Sequence, residues 1–188
     1  MIGDFHDYKE KTETKSARYH EAGHSTAARH LAPSAHVVSK LTTPGSGEAN
    51  ITFPHGTTDE IKYRIAVSGF LAEARQEAGK PIDTSLDRIR LLADWIVAEL
   101  KKGQKAFKLE VPIVGEQVQQ AGSNPDDFRW LGDRPPDHKK LVDALVDVSS
   151  LIEQEDWRLD IETIAELLLK YRSYDSDQDR FWEEPEIE

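Results

Sequence analysis

The sequence predicts a mainly α-helical fold with a small β-hairpin or sheet. Three observations carry that expectation. Five stretches place apolar residues at helical spacing. One region, residues 36–53, is rich in β-branched residues and is bounded by proline and glycine. The length, 188 residues, suits one domain able to bury a core, and no internal repeat divides it.

Taken in order, residues 1–15 are charged and read as an irregular, flexible lead-in. A first helix is expected from about Thr14 to Leu31, with Ala17, Ala27, Ala28 and Leu31 on its apolar side and Pro33 ending it. His36 to Thr42 and Glu48 to Phe53 read as two short strands around Pro44-Gly45-Ser46-Gly47. A second helix spans Thr58 to Ala78, with Ile61, Ile65, Phe70, Leu71 and Ala74 inward and Gly79 and Pro81 as the stop. A third runs from Thr84 to Lys101 along Leu86, Ile89, Leu92, Ala93, Ile96 and Leu100, and Gly103 ends it. Residues 104–138 are rich in Gly, Pro and Asp and read mostly as loop, with one apolar patch from Leu109 to Val114 and room for a short strand or helix. Two more amphipathic helices are expected, His138 to Glu155 and Trp157 to Arg172. The acidic end from Tyr174, with Phe181 and Trp182 among its charges, reads as a frayed terminus or as a tail that docks by those aromatics. The folded domain is thus set at 16–175 and the tail at 176–188.

Composition excludes several classes of function. The formal net charge is −11, from 24 basic and 35 acidic residues. Nucleic acid and anionic membrane surfaces both call for basic protein surface, so neither is an expected partner. With no cysteine, disulfides and thiolate metal sites are ruled out, and a metal would need His, Asp, Glu or water. No apolar run approaches the roughly 20 residues of a membrane span, and Met1 to Lys15 lacks a signal-peptide core. A cytoplasmic location is the expectation. Lys80 follows Gly79, but Ala74 holds the place of the first glycine of a phosphate loop, so no nucleotide site is expected.

One motif carries chemistry. His20-Glu21-Ala22-Gly23-His24 is H-E-x-x-H. Residues four apart on a helix share a face, so His20 and His24 can hold one metal ion, and Glu21 sits close enough to take a proton from a metal-bound water. With 7 histidines in 188 residues, chance placement yields the pattern in roughly 2% of such chains. The bland alternative is a solvent-facing helix with two surface histidines. Gly23 argues against it, because a mid-helix glycine costs about 1 kcal/mol relative to alanine and points to something packed closely against it.

The run YHEAGHSTA (Tyr19 to Ala27) resembles the start of the peptidase domain of the FtsH family, the ATP-dependent zinc metalloproteases of bacteria and organelles. Ile65 to Glu73 resembles that domain's second helix, although Phe70-Leu71 stands where the family has Gly-Arg. Ser85 to Val97 resembles the helix bearing the family's third ligand, and Trp157 to Tyr174 its closing helix, so the likeness spans about residues 16 to 175. It implies a mostly helical zinc-peptidase domain with a small β element, Zn2+ as cofactor, His20 and His24 as ligands and Glu21 as general base. It also implies an aspartate ligand at the start of the third helix. Ser85 occupies that aligned place here, which leaves Asp87 as the third ligand, with Asp83 as the alternative and His55, Glu73 and Glu77 behind them. Glu73, retained from the family's pattern, is expected to orient a histidine.

The family's ATPase module and membrane segment have no counterpart in these residues. The expectation is a stand-alone metalloendopeptidase that cuts unfolded or exposed polypeptide, or works with a separate unfoldase or as a homo-oligomer. Two rivals remain open at this point: a non-catalytic metal-binding regulatory module derived from such a peptidase, and a zinc hydrolase of small amides. The intact Glu21 counts against the first, since metal binding alone does not require it.

Overall fold

The computed structural model describes residues 3–43, 46–115, 117–131 and 136–177, and for residues 3–14 and 43 the backbone alone. Helix α1 (Gly3–Leu31) is the element on which the others pack. Every residue from Tyr19 to Ala28 is buried. A helix enclosed on all sides is ordinarily apolar all round. This one also buries His20, Glu21, His24, Ser25 and Thr26. α1 starts at Gly3 rather than near Thr14, so the expected irregular lead-in is helical from residue 3 onward. Asp4 and Asp7 suit the positive end of the helix dipole, Lys9, Glu10 and Lys11 are good helix formers, and no Gly or Pro interrupts residues 4–22.

Strands β1 (His36–Thr43) and β2 (Ser46–Thr52) pair antiparallel, His36 opposite Thr52 and Leu41 opposite Gly47. Their turn at Pro44-Gly45 lies outside the described residues. A third strand, β5 (Ser173–Asp175), pairs with the far side of β1, Ser39 opposite Tyr174. The order is therefore β2-β1-β5, with β2 at an edge. Val37, Leu41, Ala49, Ile51 and Tyr174 are buried on the face packed toward α1. Residues 174–177 thus belong to the fold rather than to a tail. Tyr174 is buried, and the Ser176 amide donates to the Val37 carbonyl. Phe181 and Trp182 lie outside the described residues.

Helix α2 (Asp59–Ala78) packs along α1, with α4 (His138–Ile152) behind it. Helix α3 (Leu86–Lys102) rests on α4 and on strand β3, and α5 (Glu155–Tyr171) returns to cover α1. The glycine stops expected after α2 and α3 are real: Gly79 and Gly103 adopt left-handed φ of 62° and 67°. The stretch read mostly as loop contains a second sheet, the hairpin β3 (Phe107–Ile113) and β4 (Gln117–Ser123), followed by a 3-10 turn at Pro125–Phe128. Alternate burial of Phe107, Leu109, Val111 and Ile113 gives β3 its inward face. The described residues form five α-helices and two small antiparallel sheets. Among the described residues no helix is long and apolar enough to cross a membrane.

α1 and α2 approach closely because Gly23 has no side chain. A Cβ there would lie 2.5 Å from the Ser68 carbonyl oxygen and 2.8 Å from the Ala72 Cβ. The first obstacle is backbone, which cannot swing aside. Gly23→Ala should therefore destabilise the fold by about 1–3 kcal/mol through overpacking, against a helix-propensity gain of about 1 kcal/mol. Urea unfolding of the metal-free protein measures the balance, and an unchanged or raised midpoint would show that the helices do not meet at this position.

Candidate metal centre

His20 and His24 lie on one face of α1, 7 % and 1 % exposed, so the alternative of two surface histidines fails. One nitrogen of each ring is committed to an acceptor on α2. His24 Nδ1 donates to the Ile65 carbonyl at 2.7 Å, and a carbonyl can only accept, which fixes the proton on Nδ1. His20 Nδ1 meets the Glu73 carboxylate Oε2 at 3.0 Å, while Glu73 Oε1 accepts from the Gly122 amide at 3.1 Å. Both Nε2 atoms are left facing one point, 3.2 Å apart.

The third group at that point is Asp127. Its Oδ2 lies 3.5 Å from His20 Nε2 and its Oδ1 3.8 Å from His24 Nε2. Local sequence explains the placement. Where β4 ends, the Asn124 side chain accepts the Asp126 amide at 2.7 Å and Pro125 opens the 3-10 turn. Asp127 Oδ2 answers by accepting the Asn124 amide at 2.9 Å and the Ser123 hydroxyl at 2.8 Å. That reciprocal cap holds the carboxylate with Oδ1 free of hydrogen bonds from described residues.

The expected third ligands are elsewhere. Asp83 Oδ1 accepts the Ser85 amide at 2.9 Å and its Oδ2 pairs with Arg88 at 3.3 Å, while Asp87 is exposed in the first turn of α3. His55 is exposed before α2, and Glu77 is held by Ser16 and Gln119. α3 packs on α4 and β3, whereas the histidines face α2 and the end of β4, so the start of α3 is badly placed to supply a carboxylate. The correction is that Asp127, not Asp87 or Asp83, completes the cluster.

The donor set fits a small tetrahedral cation. Zinc bonds of roughly 2.0–2.1 Å to two imidazoles set their nitrogens about 3.3 Å apart, close to the 3.2 Å observed. Glycines make room on both sides. A Cβ on Gly69 of α2 would sit 2.4 Å from His24 Nε2 and 2.7 Å from His20 Nε2. One on Gly47 of β2 would sit 2.6 Å from Glu21 Cγ and 2.9 Å from its Oε1.

The two carboxyl groups at the centre are tuned in opposite directions. Burial pushes the Asp127 carboxyl up, but the charge of His20 and the contacts with both imidazoles outweigh it and hold Asp127 well below the ordinary carboxylate range. Burial acts against protonated His20, yet Asp127, and after it Glu73 and Glu21, raise its pKa well above the usual value. For Glu21 burial dominates. Its carboxyl is pushed up, and the opposing pull of His20 and His24 does not cancel the effect.

Glu21 opens onto a cleft of two adjoining compartments, of about 430 Å³ and about 360 Å³, which share Glu21, Ser46, Gly47, Ala106 and Asn124 as walls. The larger passes His20 toward Phe107 and Lys108; the smaller passes His24 toward Trp130 and Arg129. The Trp130 ring stands edge-on to His24 with centroids 5.6 Å apart and to Phe53 at 6.0 Å. The free edge of β2 forms one lip. The Leu41 amide donates to the Arg172 carbonyl just before β5 and the Val37 carbonyl accepts the Ser176 amide just after it, so their β2 partners Gly47 and Ile51, with Ala49 between them, turn amide and carbonyl outward. Gly47 presents these groups beside Glu21.

The chain matches no protein-family model, and no curated protein matches it.

Three outcomes follow from this geometry. Metal analysis should find about one zinc per chain in the wild type, little in His24→Ala and Asp127→Ala, and a full complement in Asp87→Ala. Glu73→Gln should weaken metal affinity about 10–100-fold by loosening the His20 ring. Retention of zinc in Asp127→Ala with loss in Asp87→Ala would overturn the assignment.

Protons give the third outcome. Raised His20 stabilises the metal-free fold fully below its unfolded pKa of about 6.5 and loses that contribution as pH rises through its folded value. Lowered Asp127 contributes above about 3.9 and loses it only as pH falls through its own folded value. Raised Glu21 acts in the sense of His20. Metal-free stability should therefore decline from about pH 6 toward alkaline pH, whereas protection by zinc, which needs deprotonated imidazole, should grow over the same range. Melting scans with zinc and with chelator test both trends.

Proposed function

We propose that this chain is a zinc-dependent metallopeptidase that hydrolyses peptide bonds in unfolded or exposed polypeptide segments. The observation that carries the reading is the convergence of His20 Nε2, His24 Nε2 and Asp127 beside Glu21 in the wall of an open cleft. A surface or purely structural histidine pair would need neither an adjacent buried glutamate nor access from outside.

In this reading His20, His24 and Asp127 hold the zinc ion. When bound, zinc supplies Lewis-acid polarisation of the substrate carbonyl and a water that ionises near neutral pH. The residues of the chain do the rest. Glu73 and the Ile65 carbonyl fix the two Nδ1 protons, so both Nε2 lone pairs stay available. Asp127, kept ionised by its neighbours, balances the charge of the site. The Glu21 carboxylate accepts no hydrogen bond from a described residue, and its raised pKa suits a group that takes a proton from the attacking water and returns it to the leaving amine nitrogen. An extended peptide can add to the outward amide and carbonyl of Gly47 as a further strand, which brings a scissile bond past Glu21. Edge pairing requires an extended backbone, which favours unfolded segments and exposed loops over folded substrates.

Glu21→Gln tests the assignment. The variant should keep about one zinc per chain while casein hydrolysis falls by about 100- to 10,000-fold, the span of a lost general base. Undiminished hydrolysis would remove Glu21 from the mechanism. A wild type that holds zinc yet hydrolyses neither casein nor short peptides would leave a metal-binding module instead.

A further inference from the structure

Arg129 stands two residues beyond Asp127 and enters the smaller compartment of the cleft. Its Nη2 donates to the outward carbonyl of Ala49 at 2.6 Å and to Asn50 Oδ1 at 3.1 Å. The guanidinium also lies over the Trp130 ring, 5.2 Å from its centroid, and Trp130 in turn touches His24. Both acceptors of Arg129 are neutral. Among the described residues no carboxylate forms an ion pair with Arg129, nor with Lys105 across the same compartment. In a chain whose acidic residues outnumber basic ones by 35 to 24, an unpaired, half-buried and immobilised arginine beside the candidate metal centre calls for an explanation.

We propose that Arg129, assisted by Lys105, is a carboxylate subsite for the bound peptide. The inference takes the position of the peptide from the peptidase reading above. A peptide laid on the β2 edge can bond at Gly47, but at Ala49 the outward carbonyl is already occupied by Arg129. Strand pairing ends there, and the first group the peptide meets is a guanidinium with its Nε and Nη1 donors unused by any described residue. A planar fork of that kind matches a carboxylate. Glu48 and Asp126 also line the compartment, but both are exposed at its rim, whereas Arg129 is half-buried and held in place. The carboxylate has two sources, the C-terminus of the peptide or an Asp or Glu side chain. The first would make the enzyme trim chains from their ends; the second would make it cut near acidic residues.

The test measures binding without turnover, on zinc-loaded Glu21→Gln protein. Three N-acetylated pentapeptides of alanine and valine serve as probes: the free acid, the C-terminal amide, and an amide carrying one glutamate. Trp130 fluorescence reports binding, with Trp130→Phe as the control for signal from the other tryptophans. The acid, the glutamate amide or both should bind at least about tenfold more tightly than the plain amide, the scale of one charge-assisted contact. Which peptide gains identifies the source. Arg129→Gln keeps a donor for the Ala49 carbonyl but lacks the charge; it should retain zinc and bring all three affinities within about twofold. Equal affinity for the three peptides in the Arg129 protein, or no binding by any, would overturn the subsite. A preserved preference for carboxylate together with a wild type that hydrolyses nothing would defeat the peptidase reading alone.

Discussion

The close approach of α1 and α2 is the constraint on which the rest depends. α1 carries His20, Glu21 and His24 into the interior, where an unpaired polar atom is costly. α2 removes that cost with two acceptors, the Ile65 carbonyl and the Glu73 carboxylate. They can reach the imidazoles only because Gly23 lets the helices touch and Gly69 leaves space at the two Nε2 atoms. Burial then supplies rigidity, since rings packed between helices and fixed by one hydrogen bond each cannot turn away from a common point. Helix propensity at two positions is thus exchanged for a pre-oriented pair of imidazoles.

The same burial sets the charges. Asp127 and Glu21 belong to one cluster, yet the first is held low and the second pushed high. Their surroundings explain the split: the charge of His20 and the contacts with both imidazoles outweigh burial at Asp127, whereas burial outweighs the pull of the same histidines at Glu21. Asp127 Oδ2 also accepts two donors from the end of β4, while no described residue donates to the Glu21 carboxylate. In the proposed mechanism the first stays ionised and the second exchanges a proton. Opposed tuning of neighbouring acids fits those two roles.

What could be read from the sequence was what depends on neighbours within a turn or two. The ligand pair on α1 is an i, i+4 relation, and the ends of α2 and α3 carry glycines with left-handed backbone, so these positions announce themselves. The third carboxylate does not. Ser123, Asn124 and Pro125 have the composition of any loop, and Asp126 and Asp127 look alike until the cap shows which is turned inward. The signal that was present, an Asn-Pro entry into a turn about ten residues after the alternating stretch 107–113, pointed to structure but not to a destination. β5 was hidden for a related reason. α5 stops at Arg172 with φ of 62° and no glycine, and Tyr174 is the lone apolar residue of a three-residue strand. Its place in the sheet comes from Val38, Ser39 and Lys40, far away in the chain.

The β3–β4 hairpin, of which the sequence offered at most one short strand or helix, joins the candidate metal centre to the cleft. Three consecutive residues where β4 ends serve both sides of the centre: the Gly122 amide holds Glu73, and Ser123 and Asn124 hold Asp127. Beyond Asp127, Arg129 reaches across to the β2 edge and Trp130 closes against His24 and Phe53. In the proposed reading, a peptide that draws on Arg129 or displaces it from Ala49 acts on the segment that positions Asp127, and substrate and metal share one short piece of backbone. Coupling between them needs no change of fold, because a shift of the turn at Pro125–Phe128 moves Asp127 and Arg129 together.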